Sequence, residues 1–144
     1  MKNIPVHQIA PYLPFKVKAI FNESNDKYTR KKIISTLGGI FSNGSIICYD
    51  GFKRYPAKYK LVLYPLSDLF GNISKHTAFT DYLTEYELSL LTDHVLNEDD
   101  DSEFLSLLSY SAAQYLFKHH FDVFKLIKAG KAVDGNEIKI NSYN

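Results

Sequence analysis

The sequence predicts an α+β domain: an N-terminal antiparallel β-meander of three to four strands, followed by two to three C-terminal helices. Three observations carry this. Apolar residues in the front half recur mostly at every second position, the period of a half-buried strand. After residue 80 they recur at helical spacing. Strands come first and helices after, without the alternation of a βαβ chain. No repeat, linker or low-complexity tract divides the 144 residues. One domain is therefore expected, with a basic, mainly β part over 1–79, an acidic, mainly α part over 80–130, and a tail or small hairpin over 131–144.

Residues 4–13 predict a short helix ended by Pro14, because the residue before a proline avoids the α region. Phe15, Val17, Ala19 and Phe21 then alternate with Lys16, Lys18 and Ile20, which is mostly the period of a half-buried strand. A longer strand is expected over 28–41. Gly38-Gly39 interrupts it, which suggests a bulge or a close backbone approach. Asn43-Gly44 predicts a hairpin turn, since a type I′ turn needs positive φ at both central residues. Residues 45–49 return, placing Cys48 in the sheet. Asp50-Gly51 is a second turn signal, and 58–64 a further strand ended by Pro65. Residues 66–70 suit a single helical turn.

Tyr82, Leu83, Tyr86, Leu90 and Leu91 predict a helix over 80–96, with Thr80 as its cap. After an acidic break at 97–101, Phe104, Leu105, Leu108, Ala112, Tyr115 and Leu116 predict a second helix over 102–118. Phe121, Phe124 and Ile127 continue the pattern over 120–129, with Gly130 as the residue after the helix end.

Composition narrows the function classes. Apolar residues are 45% and charged residues 23%, near globular averages, which argues against global disorder. The single cysteine, Cys48, excludes an internal disulfide and a cysteine-based zinc site. The opening MKNIPVHQIAPYLPF is broken by prolines and lacks the apolar run of a signal peptide. No stretch approaches the roughly 18 apolar residues that cross a bilayer. A cytoplasmic protein without a membrane partner is expected.

Charge is the most informative feature. Residues 1–80 hold 12 Lys and Arg against 4 Asp and Glu, a net of +8, and residues 81–144 hold 5 against 12, a net of −7. Such asymmetry points towards charged partners, or a basic sheet and acidic helices simply face each other across the domain.

Three constellations invite chemistry. His119, His120 and Asp122 put imidazole and carboxylate close together, as transition metals require. Adjacent helical residues point about 100° apart, however, so only His119 and Asp122 would share a face. No HExxH partner is present, and no metal or other cofactor is expected. The acidic run Glu98, Asp99, Asp100, Asp101 and Glu103 lacks the glycine and spacing of a calcium loop. Its place before a helix suits the positive end of the helix dipole, and its spaced charge can also imitate a phosphate backbone for a basic surface. The basic run Lys53, Arg54, Tyr55, Lys58, Tyr59 and Lys60 interleaves cations with rings, a pattern that suits single-stranded RNA or DNA. Arg30, Lys31 and Lys32 would enlarge it from a neighbouring strand. Ordinary strand alternation explains part of it, since Lys58 and Lys60 share one face and Tyr59 takes the other. GxxxxGK[ST], GxGxxG and GxSxG are absent, and nothing near Cys48 would activate a thiolate.

Three short segments look familiar in combination: Ile9-Ala10-Pro11-Tyr12-Leu13-Pro14, then Leu63-Tyr64-Pro65-Leu66-Ser67-Asp68-Leu69, then His120-Phe121-Asp122-Val123-Phe124-Lys125-Leu126-Ile127, followed by Gly130, Ala132 and Asp134. Their order resembles a group of small bacteriophage and prophage proteins in which IAPYLP, RPLSDL and HFDVFGLI segments recur. Here Tyr64 stands for the usual Arg and Lys125 for the usual Gly. The resemblance implies a phage setting and carries no activity or functional residue with it. Three readings follow. The first is a non-catalytic inhibitor of a nucleic-acid-handling host defence system, anti-CRISPR-like, that docks on a protein or ribonucleoprotein. The second is a nucleic-acid-binding accessory protein of phage replication or recombination. The third is a small metal-dependent enzyme around His119, His120 and Asp122.

Overall fold

A six-stranded sheet forms one layer of the protein, and its order is β4-β3-β2-β1-β5-β6. The computed structural model describes residues 4–23, 31–40, 46–48, 54–55, 59–70, 75–97 and 103–138, with 21–23, 31–33 and 54–55 described by backbone alone. The strands are β1 (Lys18–Glu23), β2 (Lys31–Ile40), β3 (Ile46–Cys48), β4 (Arg54–Tyr55), β5 (Lys60–Leu63) and β6 (Ala132–Asp134). The helices are α1 (Val6–Ile9), α2 (Thr77–Tyr82), α3 (Glu85–Leu96), α4 (Phe104–Leu107) and α5 (Tyr110–Lys118). Short 3-10 turns occupy Ala10–Phe15, Leu66–Phe70 and Gly135–Glu137.

The class is α+β, but the expected architecture needs correction. Among the described residues the sheet is mixed and has six strands, not three to four antiparallel ones. β1 to β4 pair antiparallel in chain order, and β5 joins the other side of β1. β6 then pairs parallel with β5, Leu61 opposite Ala132 and Leu63 opposite Asp134. A parallel partner needs a long crossover, and the α2–α5 segment supplies it. The chain after residue 131 is thus neither a separate hairpin nor a loose tail up to Asp134.

The expected bulge at Gly38-Gly39 is present as a register shift between Leu37 and Gly39. A bulge bends its strand and increases twist. The Asn43-Gly44 turn and Asp50-Gly51 lie outside the described residues.

The helical half also departs from expectation. The helix expected over 80–96 is two helices broken at Leu83, and its cap is Thr84, not Thr80. Thr84 Oγ1 accepts from Glu87 N while the Glu87 carboxylate accepts from Thr84 N, a capping box. The helix expected over 102–118 is likewise split, because Ser109 caps α5 by accepting from Ala112 N. No helix forms over 120–129. His120 and Lys125 have φ of 59° and 56°, which a right-handed helix cannot contain. Gly130, at φ 77°, does close a turn.

The core lies between the sheet and these helices. Val17, Ala19, Leu37, Leu61 and Leu63 belong to one buried cluster with Phe79, Leu91, Ala112, Leu116 and Phe117. Cys48 is buried as well. Successive residues Leu61, Val62 and Leu63 are all buried, as expected for a strand covered on both faces. Gly135 lets the chain pass Tyr64, since a Cβ there would lie 2.6 Å from the ring Cε1. Gly135→Ala is expected to lower stability by roughly 1–3 kcal/mol through overpacking, read from a denaturation midpoint.

Candidate functional site

The three familiar segments, far apart in sequence, meet at one buried node. Tyr12 comes from the 3-10 turn after α1 and is fully buried. Its hydroxyl donates to Phe121 O at 2.5 Å and accepts from Val123 N at 3.2 Å. Tyr64, just before Pro65, brackets the same segment: Tyr64 N donates to His120 O and Asp122 N donates to Tyr64 O, each at 2.8 Å. Asp122 is buried, and its two carboxylate oxygens accept from Leu126 N at 2.8 Å and Ile127 N at 2.9 Å.

Two histidines complete the node. His94 Nε2 lies 2.9 Å from Val123 O, and His120 Nε2 lies 2.7 Å from Phe15 O. A carbonyl only accepts, so both rings carry their proton on Nε2. His94 also stacks on Phe104, ring centroids 4.0 Å apart. The node therefore replaces the missing helix at 120–129. Side chains satisfy backbone groups that a helix or sheet would otherwise pair. Burial pushes the Tyr12 hydroxyl pKa well up, and the Asp122 charge adds to this against the Val123 hydrogen bond. Tyr12 stays a donor.

Beside the node sits an aromatic cluster that the sequence reading did not single out. His76 Nδ1 lies 2.5 Å from the Tyr115 hydroxyl. The His76 ring packs edge-on against His119 and Phe121, at 5.1 and 4.9 Å. Phe79 stacks on Tyr115 at 3.8 Å. The neutral forms are favoured here. Burial lowers the His76 pKa, with Asp68 opposing and Lys75 adding. Burial also lowers those of His119, with His76, Lys118 and His120 adding, and of His120, where the Phe15 carbonyl opposes.

All three histidines thus resist protons that the unfolded chain accepts near the ordinary value of 6.5. Their contribution is fully present above that pH and is lost as pH falls through the depressed folded values. The denaturation midpoint is expected to hold steady from pH 8 to 7 and drop by pH 5.5. A midpoint unchanged or higher at pH 5.5 would contradict this.

The metal constellation does not assemble. His119 faces His76 and Tyr115, His120 faces Phe15 O, and Asp122 faces the 126–127 backbone. Among the described residues no group of three or more His, Cys, Asp or Glu is placed to hold a metal ion.

Only part of the basic run falls on described residues. Lys53, Lys58 and Arg30 lie outside the described residues. Arg54 and Tyr55 form the edge strand β4, and Lys31 and Lys32 stand on β2 opposite Glu23 and Asn22. Lys60 is exposed on β5, beside Ile20 of β1. Tyr59 is buried, and its hydroxyl, pushed up to about 12 by burial, has no hydrogen-bond partner among the described residues. Of the acidic run, Glu98, Asp99, Asp100 and Asp101 lie outside the described residues. Glu103 is exposed before α4 and makes no capping hydrogen bond.

A groove of about 480 Å³ opens beside the node. Pro65, Leu66, Leu96 and Ile127 give it a mainly apolar wall, and His94 and Asp122 reach it. Lys125 at its rim donates to Asn97 O. Among the described residues no helix is long and apolar enough to cross a membrane. Set against known protein families, curated proteins and solved structures, the chain matches none of them.

Proposed function

We propose that this chain is a non-catalytic, phage-encoded binding protein that inhibits a nucleic-acid-handling host defence system, anti-CRISPR-like, by docking on the effector or its RNA in the host cytoplasm. One observation supports this above the others: cations are absent from most of the helical span and recur on the strands. No Lys or Arg occurs between Lys75 and Lys118, the span that holds α2, α3, α4 and nearly all of α5. Lys18, Lys31, Lys32, Arg54 and Lys60 lie on strands. A two-signed surface of this kind favours docking on a charged partner.

The polar groups best suited to catalysis argue for a binding role too. Tyr12, His94, His120 and Asp122 are occupied in holding backbone. This weighs against a metal-dependent enzyme. Tyr59 lies in the core and offers no face to a base, which weighs against a single-strand-binding accessory protein of replication. The phage setting rests on the three-segment resemblance. Lys125 supports it, because the residue standing for the group's usual glycine has φ 56°, a conformation that favours glycine.

The test is an interference assay. Cells with an active CRISPR system that express this chain are transformed with a targeted plasmid. Transformation restored to the level of an untargeted plasmid is the expected result, with the chain co-purifying with the effector. Undiminished interference across every effector type, with expression verified, would sink the proposal.

A further inference from the structure

Three tyrosines stand in solvent where the helices of the acidic layer begin and end. Tyr82 is 72% exposed, Tyr86 60% and Tyr110 80%. One carboxylate braces the helix starts beside two of them. Glu87 accepts from Thr84 N at the start of α3 and from Ser109 N, at 3.0 Å, at the start of α5. The two helix N-termini are therefore tied together, with Tyr86 directly before Glu87 and Tyr110 directly after Ser109. Tyr82 ends α2 two residues before Thr84. Asp81 and Glu85 are exposed within the same stretch.

We infer that Tyr82, Tyr86 and Tyr110, with Asp81 and Glu85, form the docking face of this protein, and that its occupant is a protein surface rich in arginine and lysine. The inference rests on the binding-protein reading and names the partner's chemistry. Charge selects the occupant. The described helices from residue 77 to 117 carry no Lys or Arg, and Asp81, Glu85 and Asp93 are exposed acids on them. A nucleic acid would be repelled. A guanidinium would stack on a tyrosine ring and pair with a neighbouring carboxylate at once. Size agrees as well. Three aromatic side chains burying roughly 150 Å² each supply about half of the roughly 800 Å² that one side of a standard interface covers. Tyrosine is also enriched among the residues that dominate binding energy. Solvent-exposed rings on a carboxylate-braced junction are what such a contact needs, since the brace fixes their backbones in advance of binding.

The experiment titrates the isotope-labelled full chain with two synthetic peptides of equal charge, one arginine-rich and one lysine-rich, and follows amide shifts. Shifts centred on residues 81–86 and 109–111 are expected, with the arginine peptide binding more tightly. The variant Tyr82→Ser/Tyr86→Ser/Tyr110→Ser keeps every charge and touches no core residue. It is expected to weaken the arginine peptide roughly tenfold or more, with an unchanged denaturation midpoint. Equal affinity in the variant, shifts spread over all acidic residues, binding of single-stranded DNA at the same amides, or self-association through this face would each overturn the inference. Its failure is separable from that of the function. A triple variant that still inhibits interference as well as the parent removes the face and leaves the inhibitor. Peptide binding lost in the variant, from a parent that inhibits nothing, removes the inhibitor and leaves the face.

Discussion

Tyr12→Phe is expected to destabilise the protein by roughly 2–4 kcal/mol, although it removes a single oxygen. That oxygen serves two backbone groups at once, Phe121 O and Val123 N. Both belong to buried residues, so water does not replace the lost partner. Each unsatisfied buried group costs about 1–3 kcal/mol. Against a total stability of about 5–15 kcal/mol this is a large share. Tyr59→Phe is the control. It removes a buried hydroxyl that has no partner among the described residues, and is expected to be neutral or stabilising. Urea denaturation of the two variants decides the matter. Equal midpoint changes would mean that burial alone, and not the bridging hydroxyl, sets the cost.

Asp122→Ala is expected to be about as damaging, at roughly 2–4 kcal/mol, because hydrogen bonds to a charged group are the stronger kind. The carboxylate closes the turn at Leu126 and Ile127. Its loss leaves two amides without acceptors inside an irregular segment that no helix or sheet can take over. Asp122→Asn keeps one acceptor oxygen and is expected to cost about half as much. Native-state hydrogen exchange gives a local readout. The amides of 126 and 127 should lose protection in Asp122→Ala before those of β1 and β5 do. Unchanged protection at 126 and 127 would show that the carboxylate does not hold this turn.

Both predictions concern residues whose importance the sequence half revealed. Tyr12 and Asp122 stand inside the segments that carry the phage resemblance, yet nothing in either segment says that they touch. The His119, His120 and Asp122 constellation reads as metal chemistry from its spacing alone. Once Phe15 O, Tyr64 and the 126–127 amides surround it, the same residues are backbone partners. The capping box is the opposite case. Thr84-Glu85-Tyr86-Glu87 has the recognised spacing of a helix start, so the break between α2 and α3 was legible. The apolar period ran through it and masked it. His76 and Tyr115 gave no signal, being 39 positions apart.

Local period and turn chemistry determined the α+β class, the bulge at Gly38-Gly39, the strand that ends before Pro65 and the division of charge between halves. Those features depend on neighbours a few residues away, and the sequence contains them directly. Tertiary structure alone decided that β6 returns to pair parallel with β5, that residues 120–129 are not a helix, and that one carboxylate ties the starts of α3 and α5 together. Each of these depends on where distant backbone groups find partners. The Tyr12 to Phe121 hydrogen bond closes over 109 positions. No periodicity reports a contact of that separation, because its free energy comes from satisfying buried polar groups that only the assembled core removes from water.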